Sequence, residues 1–316
     1  MNDVKPETAD GQSRRKREKR DISGWLVLDK PVGMTSTHAV AVVKRVFQAK
    51  RAGHAGTLDP LASGLLPIAL GEATKTVPFV MEGRKVYCFT VRWGEERDTD
   101  DAEGRVGAMS GERPGADAIR ALLPRFTGRI EQVPPRFSAV KIEGERAYDL
   151  ARDGEAVELE PRPVEIHRLE LIGFPDRDHA EFNAECGKGT YVRALARDLG
   201  RALGCFGHVA TLRRTTVGPF TEAVATSLDA LERGGEPAEP SRLLPVAAGL
   251  AALPALRVSS ADAGRLARGQ AVLLRGRDAP VIEGLVSVST HGSLIALAEV
   301  EKGELRPRRI FNLPRP

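Results

Sequence analysis

One acid, Asp59, stands among apolar residues and glycines in the stretch from Arg51 to Leu70, RAGHAGTLDPLASGLLPIAL. Taking a carboxylate out of water costs several kcal/mol unless a partner and hydrogen bonds offset it. An Asp between Leu58 and Pro60 therefore needs either loop amides to satisfy it or a chemical task. Pro60 lacks an N–H and biases Asp59 away from the helical region, while Gly53, Gly56 and Gly64 permit tight turns and close approach of another backbone. The side chain is thereby presented from a stiff loop. In a dry pocket such an acid is reactive as carboxylate only if a cation holds it ionised, and an arginine fork is the strongest candidate.

Other residues read two ways from pattern alone. Arg193 is a cation at the start of an amphipathic helix, and Tyr87 and Tyr191 fit core aromatics as well as they fit a site. His54, five residues before Asp59, is either structural or part of the same loop's function. Lys30, Arg136, Lys141, Arg213 and Arg214 are candidate phosphate contacts, which position a nucleic acid without reading its bases, or else solvated surface charges.

At full length the loop resembles the motif of the tRNA pseudouridine(55) synthases, the TruB family. Their Gly-His-x-Gly-[Ala/Thr]-Leu-Asp-Pro-x-Ala-[Ser/Thr]-Gly string matches Gly53 to Gly64. Further matches follow in the family's order at Leu28-Asp29-Lys30-Pro31, Lys85-Val86-Tyr87, Pro134-Pro135-Arg136-Phe137-Ser138-Ala139 and Gly189-Thr190-Tyr191-Val192-Arg193, so the resemblance covers about residues 24 to 220. Thr57, Ser63 and Val192 are variants that the family tolerates.

The resemblance implies an isomerase that breaks the C1′–N1 bond of a uridine, turns the base and joins C1′ to C5, with no redox step, cofactor or metal. Such chemistry needs a carboxylate beside the anomeric carbon, as nucleophile at C1′ or base at C2′, much as a glycosidase uses its acids. By resemblance Asp59 is the catalytic acid, Arg193 its arginine, and Tyr191 the tyrosine beneath the pocket. Tyr87 is the ring that stacks on the flipped base and serves in proton transfer, offsetting the cost of extruding a uridine from folded RNA. His54 presses into the RNA loop that the base vacates, Leu212 lines the uracil pocket, and Lys30 contacts substrate. The implied partner is the TΨC arm of tRNA, without a guide RNA, a protein partner or a membrane, and the expected state is a monomer. Two alternatives are the guide-RNA-dependent branch of the superfamily, which shares the Gly-His-x-Gly-Thr-Leu-Asp-Pro string, and a non-catalytic RNA-binding or RNA-folding protein. Pure binding has no use for a buried acid facing RNA phosphates.

The whole chain agrees with a soluble enzyme. Its 316 residues, 41% hydrophobic and 28% charged, have room for two domains with real cores. The longest mostly apolar run, Leu243 to Leu256, is too short for a bilayer and is interrupted by Pro245, Gly249 and Pro254. No secretory signal is visible. Cys88, Cys186 and Cys205 are odd in number and widely spaced, which argues against a disulfide framework or zinc cluster and fits a reducing cytoplasm. Of the formal charge of +4, residues 1–20 supply +3, so any nucleic-acid surface on the body must be a local patch.

The elements that must position these residues can be read in order. Residues 1–20, ending in Ser13-Arg14-Arg15-Lys16-Arg17-Glu18-Lys19-Arg20, lack apolar periodicity and form a disordered basic tail, either an arm for phosphates or a solvated tail. A strand over Trp25 to Leu28 precedes a helix through Ala39, Val42, Val43, Val46 and Phe47, with Ser36 and Thr37 as candidate caps. Strands are expected from Gly64 to Leu70, through Tyr87, Phe89, Val91 and Trp93, from Ser138 to Ile142, and through Ala180, Phe182, Ala184 and Cys186. A strand pair broken by Pro161 and Pro163 is expected over Val157 to Leu171. Helices are expected at Ile119–Phe126, Glu145–Arg152 and Val192–Leu203, and a solvated polar loop from Glu95 to Glu103. A linker over Gly234 to Ser241 leads on to a small unit with a helix near Ala261–Ala267. That unit has four strands, at Ala271–Leu274, Val281–Val288, Leu294–Val300 and Arg309–Leu313. The mixture predicts an α+β fold with a mainly antiparallel sheet. The domain division is a tail at 1–20, a catalytic domain at 21–250 and a β-rich module at 251–316, which the resemblance makes a PUA-like RNA-binding unit.

Overall fold

The run Trp25-Leu26-Val27-Leu28 is apolar at every position because its strand, Gly24–Lys30, is covered on both faces. Leu26 and Leu28 point into one cluster with Leu66, Ile68, Phe89, Val91 and Trp93, while Trp25 and Val27 point into a second with Leu65, Ala69 and Phe220. Side chains alternate across a strand, so a strand buried on both faces needs an unbroken apolar run.

The computed structural model describes residues 19–138, 141–142, 145–146, 159–233, 237–274 and 281–314. Within them the fold is α+β, built on a ten-stranded sheet. Its main path runs Ala225–Ser227, Gly24–Lys30, Ser63–Leu70, Gly207–Val217, Lys85–Trp93, His179–Cys186, Arg162–Asp176 and Gly128–Gln132. Two short strands, Ala52–His54 and Phe220–Thr221, pair off that path. Neighbours are antiparallel except at Gly24–Lys30 with Ala225–Ser227 and at the two-residue contact of Ser63 and Gly64 with Arg213 and Arg214. Helices Ser36–Val46 and Val192–Ala202 cover one face through Ala39, Val43, Val46, Leu195 and Leu199.

Several expectations are corrected. The first helix is capped by Thr35, whose hydroxyl accepts from the His38 N–H, and not by Ser36 or Thr37. Ser36 is buried and bonded elsewhere. The expected strand pair is a single strand, Arg162–Asp176, running through Pro163. Proline fits there because only Gly128–Gln132 pairs with that end, and His179–Cys186 joins from Ile166 onward. Of the expected helix Glu145–Arg152, residues 145–146 pair as strand with 141–142, and the rest lies outside the described residues. Of the expected linker, Ala238 is fully buried and its N–H donates to the Val46 carbonyl, so this part is strapped to the core.

The C-terminal unit is a five-stranded sheet, not a four-stranded one, ordered Ala255–Arg257, Gly284–Thr290, Ser293–Glu301, Glu304–Ile310 and Val272–Leu273, with helix Ser260–Ala267 beside it. Ala255–Arg257 was missed because three residues after a proline carry no periodicity. The unit is packed on the large sheet: Leu294, Leu297 and Phe311 join Trp25, Phe220 and Val246 in one buried cluster.

Candidate active site

The loop from Gly56 to Pro60 has every carbonyl engaged. Arg214 donates from Nη2 to the Gly56 carbonyl and from Nη1 to the Thr57 carbonyl, each at 3.1 Å. The Ser36 hydroxyl donates to the Leu58 carbonyl and accepts from the Leu58 N–H, both at 2.9 Å. The Asp59 carbonyl accepts from Ala62 N, and the Pro60 carbonyl from Gly33 N. A loop so fully bonded holds its one acid in a defined place.

That acid meets Arg193. Nε of Arg193 lies 2.9 Å from Oδ2 of Asp59, with the guanidinium side chain 7% exposed and the carboxylate 33%. Nε–H finds no aligned acceptor, so this contact is a close ion pair and not a well-directed hydrogen bond. The directed bonds come from Nη1 to the Thr99 carbonyl and from Nη2 to the Phe137 carbonyl, each 3.0 Å, and Asp101 Oδ2 lies 3.5 Å from Nη1. Arg193 is thus a buried cation at the first turn of its helix, and not the surface charge that periodicity alone allows.

The acidic stretch that reads as a solvated loop proves to be the wall behind this pair. Asp100 and Asp101 are 5% and 3% exposed. Arg197, one helical turn after Arg193 and on the same face, donates from Nη1 to Asp100 Oδ2 at 2.8 Å and from Nη2 to the Val133 carbonyl. Burial pushes the Asp100 carboxyl up to about 6, opposed by Arg197 and Arg193. Burial also raises Asp101, against hydrogen bonds from Thr99 and the charge of Arg193. Asp100 sits at φ 60°, a left-handed conformation that an Asp tolerates better than most side chains. Arg197, Asp100 and Asp101 were missed in the sequence. Their available signal was the four-residue spacing of Arg193 and Arg197 on one apolar helix, which demands buried acids opposite.

The remaining candidates gather around the loop. Tyr87 is partly buried and packs against the large core cluster, two residues before Phe89 on the strand facing Leu212 and Arg214. Burial pushes its phenol up, with the Arg214 cation opposing and Asp59 adding to the rise. Tyr191 is held at both backbone groups by Gln132, whose amide accepts from Tyr191 N at 2.9 Å and donates to its carbonyl at 3.2 Å. Burial raises its phenol too, and the charge of Asp59 contributes. Leu212 is 7% exposed and shares the cluster containing Leu58, Ala62 and Tyr87. His54 ends the short strand Ala52–His54 with Nδ1 buried and unpaired, and burial together with Arg214 lowers its pKa, favouring the neutral ring.

Two proposed phosphate contacts, Lys30 and Arg214, are corrected, and a third, Arg213, is ion-paired at the surface. Lys30 is fully buried, its Nζ donating to the Pro31 carbonyl at 2.8 Å and the Pro60 carbonyl at 3.4 Å. Burial pushes it down to about 8, with Asp59 opposing and Arg214 adding. Arg213 is committed to Asp29 and Glu222, and Arg214 is buried under the loop. All three cations are used to offset local backbone or carboxylate charge. Arg136 is exposed, and the Lys141 side chain lies outside the described residues. No cluster of three or more metal-ligating side chains occurs among the described residues.

Three family models match in succession: TruB family pseudouridylate synthase (N terminal domain) over residues 44–192, tRNA pseudouridylate synthase B C-terminal domain over 193–245, and Pseudouridine synthase II TruB, C-terminal, over 254–311. A curated protein named tRNA pseudouridine synthase B from Bradyrhizobium diazoefficiens is 67% identical, covering 99% of this chain and 92% of its own. Its namesake from Agrobacterium fabrum is 56% identical, covering 95% and 98%. Among solved structures, a chain of a Cbf5-Nop10-Gar1 complex superposes with a TM-score of 0.69 at 26% identity, over 91% of this chain and 84% of that one.

Proposed function

We propose that this chain, which belongs to the TruB family of pseudouridine synthases and makes pseudouridine in tRNA, acts on the uridine at position 55 in the TΨC loop. The observation that carries the reading is the Asp59–Arg193 pair: a carboxylate one-third exposed on a fully bonded loop, with a buried guanidinium 2.9 Å behind it. Such an arrangement sets a fixed cation behind the carboxylate and offers the acid outward to a ribose. The flipped uridine enters with its sugar at Asp59, its base against Tyr87 and its uracil edge lined by Leu212, while Tyr191 supports the pocket floor and His54 occupies the RNA loop left behind. Asp59 then acts on the sugar, either adding to C1′ as an ester that is released when C5 attacks or taking a C2′ proton that it later returns. The C1′–N1 bond breaks, the base turns, C1′ joins C5, and the proton lost from C5 is balanced by one taken up at N1.

Lys30 serves this site from within. Its ammonium ties the Pro31 and Pro60 carbonyls together, so it supports the substrate-binding loop without reaching a phosphate. Residues 21–250 form the catalytic domain, residues 251–316 a PUA-like unit that holds RNA, and residues 1–20 a basic tail that adds charge, of which Arg20 is already bonded to the body. The protein works as a monomer in the cytoplasm, without a cofactor. No helix among the described residues is long and apolar enough to cross a membrane.

The guide-RNA-dependent alternative draws on the likeness to a chain of an archaeal box H/ACA sRNP Nop10-Cbf5 complex at 26% identity, against 67% for a protein named tRNA pseudouridine synthase B, and the larger figure favours stand-alone action. The test is incubation of the purified protein with unmodified tRNA, followed by chemical mapping of pseudouridine. One modified T-loop position without guide RNA is expected. Modification elsewhere, or only with added guide, would overturn the reading.

A further inference from the structure

Arg214 is 2% exposed and, among the described residues, pairs with no carboxylate. Its fork donates to three backbone carbonyls, from Nε to Leu65 at 2.9 Å and from Nη1 to Thr57 and Nη2 to Gly56, each at 3.1 Å, and it also hydrogen-bonds the Tyr87 side chain. Gly56 and Thr57 lie on the arm entering the Asp59 loop and Leu65 on the arm leaving it, so one rigid plane bridges both. The backbones are joined as well. Gly64 pairs with Arg214, at φ +101°, and a Cβ there would stand 2.2 Å from the Arg214 carbonyl oxygen. On its own strand Arg214 lies directly across from Tyr87. The residue therefore touches the loop that carries the acid and faces the strand that carries the ring, and it is buried away from the surface.

We infer that Arg214 is a positioning residue for this reaction, fixing the Asp59 carboxylate in register with Arg193 and Tyr87. The inference rests on the reading of Asp59 as the catalytic acid. Two carbonyls on one arm and one on the other call for donors fixed in a plane. Lysine offers three donors around a single nitrogen and cannot bridge that span. A buried cation without a carboxylate also favours negative charge nearby, and the lowering influence of Arg214 on Lys30, His54 and Lys85 and on the Tyr87 phenol is consistent with a field centred there. A displacement of the loop by about an ångström is enough to cost on the order of 100-fold in rate while binding contacts survive.

The experiment compares wild type, Arg214→Lys, Arg214→Gln and Asp59→Asn in thermal unfolding, affinity for a T-arm RNA, and single-turnover rate at saturating enzyme. Arg214→Lys retains the buried charge, so it keeps the comparison available if Arg214→Gln fails to fold. The expected result for both is a rate lower by about 100-fold per folded molecule, with RNA affinity within about threefold of wild type. Near wild-type turnover per folded molecule in Arg214→Lys, or losses of rate and affinity that simply follow the unfolded fraction, would overturn the inference. Asp59→Asn separates the two claims: if it turns over normally the acid is misassigned, whereas an inactive Asp59→Asn beside an active Arg214→Lys removes only the role of Arg214.

Discussion

Arg193 and Asp59 are an unequal pair: Nε and Oδ2 are 2.9 Å apart, yet the arginine side chain is 7% exposed and the aspartate 33%. The cation is the fixed partner, anchored to the Thr99 and Phe137 carbonyls, and the anion is the one offered to an incoming ligand. An ion pair built only for stability has no need of this asymmetry. Replacing Arg193 by Met should therefore reduce turnover strongly while RNA affinity changes little, because the lost group holds the acid and does not hold the RNA. Single-turnover rate and RNA affinity on one preparation measure this, and near wild-type turnover would contradict it.

Behind this pair, Asp100 titrates at about 6 against an ordinary value of 3.8, because burial outweighs the pull of Arg197. Since the folded-state value is raised, the folded protein holds the proton across a window in which the unfolded chain has released it. Stability from this group is full below about pH 4 and is lost as pH rises through about 6. Urea unfolding of wild type and Asp100→Asn across that window should show the wild type losing stability relative to the variant. Arg197→Met, which leaves Asp100 buried and unpaired, should cost about 3–5 kcal/mol at neutral pH.

Ser36 bonds both backbone groups of Leu58, next to Asp59, from inside the first helix. Ser36→Ala strands a buried N–H and C=O, at about 1–3 kcal/mol for each group left unsatisfied. Turnover per folded molecule should fall by about tenfold with RNA affinity little changed, in the manner of a loosened loop. Equal losses in affinity and turnover would assign Ser36 to folding alone.

The described chain begins at Lys19, and Arg20 is bound into the body: its N–H donates to Gln48, its carbonyl accepts from Lys50, and its guanidinium donates to the Ala238 carbonyl. A deletion that tests the basic tail should accordingly stop at residue 18. Removing Arg14, Arg15, Lys16 and Arg17 should flatten the salt dependence of RNA binding and leave the modified position unchanged. A new modification site would contradict a purely electrostatic role.

Much of this fold is legible in the sequence because its period is simple. Tyr87, Phe89, Val91 and Trp93 alternate, and Val192, Leu195 and Leu199 recur at helical spacing. Asp59 stands out because it is the one acid in an otherwise apolar and glycine-rich stretch. Arg214 and Lys30 were misread because nothing local distinguishes a cation that serves carbonyls from one that serves phosphates. The difference lies in long-range pairing, such as Gly64 against Arg214. Asp100 and Asp101 were misread for the same reason, since their partners are about 95 residues away, on helix Val192–Ala202. Truncation of the C-terminal unit would bare the Trp25 and Phe220 cluster that Leu297 and Phe311 cover.

The most direct measurement is the single-turnover rate of Asp59→Asn on unmodified tRNA, taken with its unfolding midpoint and RNA affinity on the same preparation. Asparagine keeps the size of the side chain and removes the charge. The expected result is a folded protein that binds tRNA about as tightly as wild type and forms pseudouridine slower by orders of magnitude, because the contacts that hold RNA survive and only the reacting group is lost. A folded, RNA-binding Asp59→Asn protein that forms pseudouridine at near wild-type rate would contradict the assignment and leave Asp59 a structural acid in a well-bonded loop.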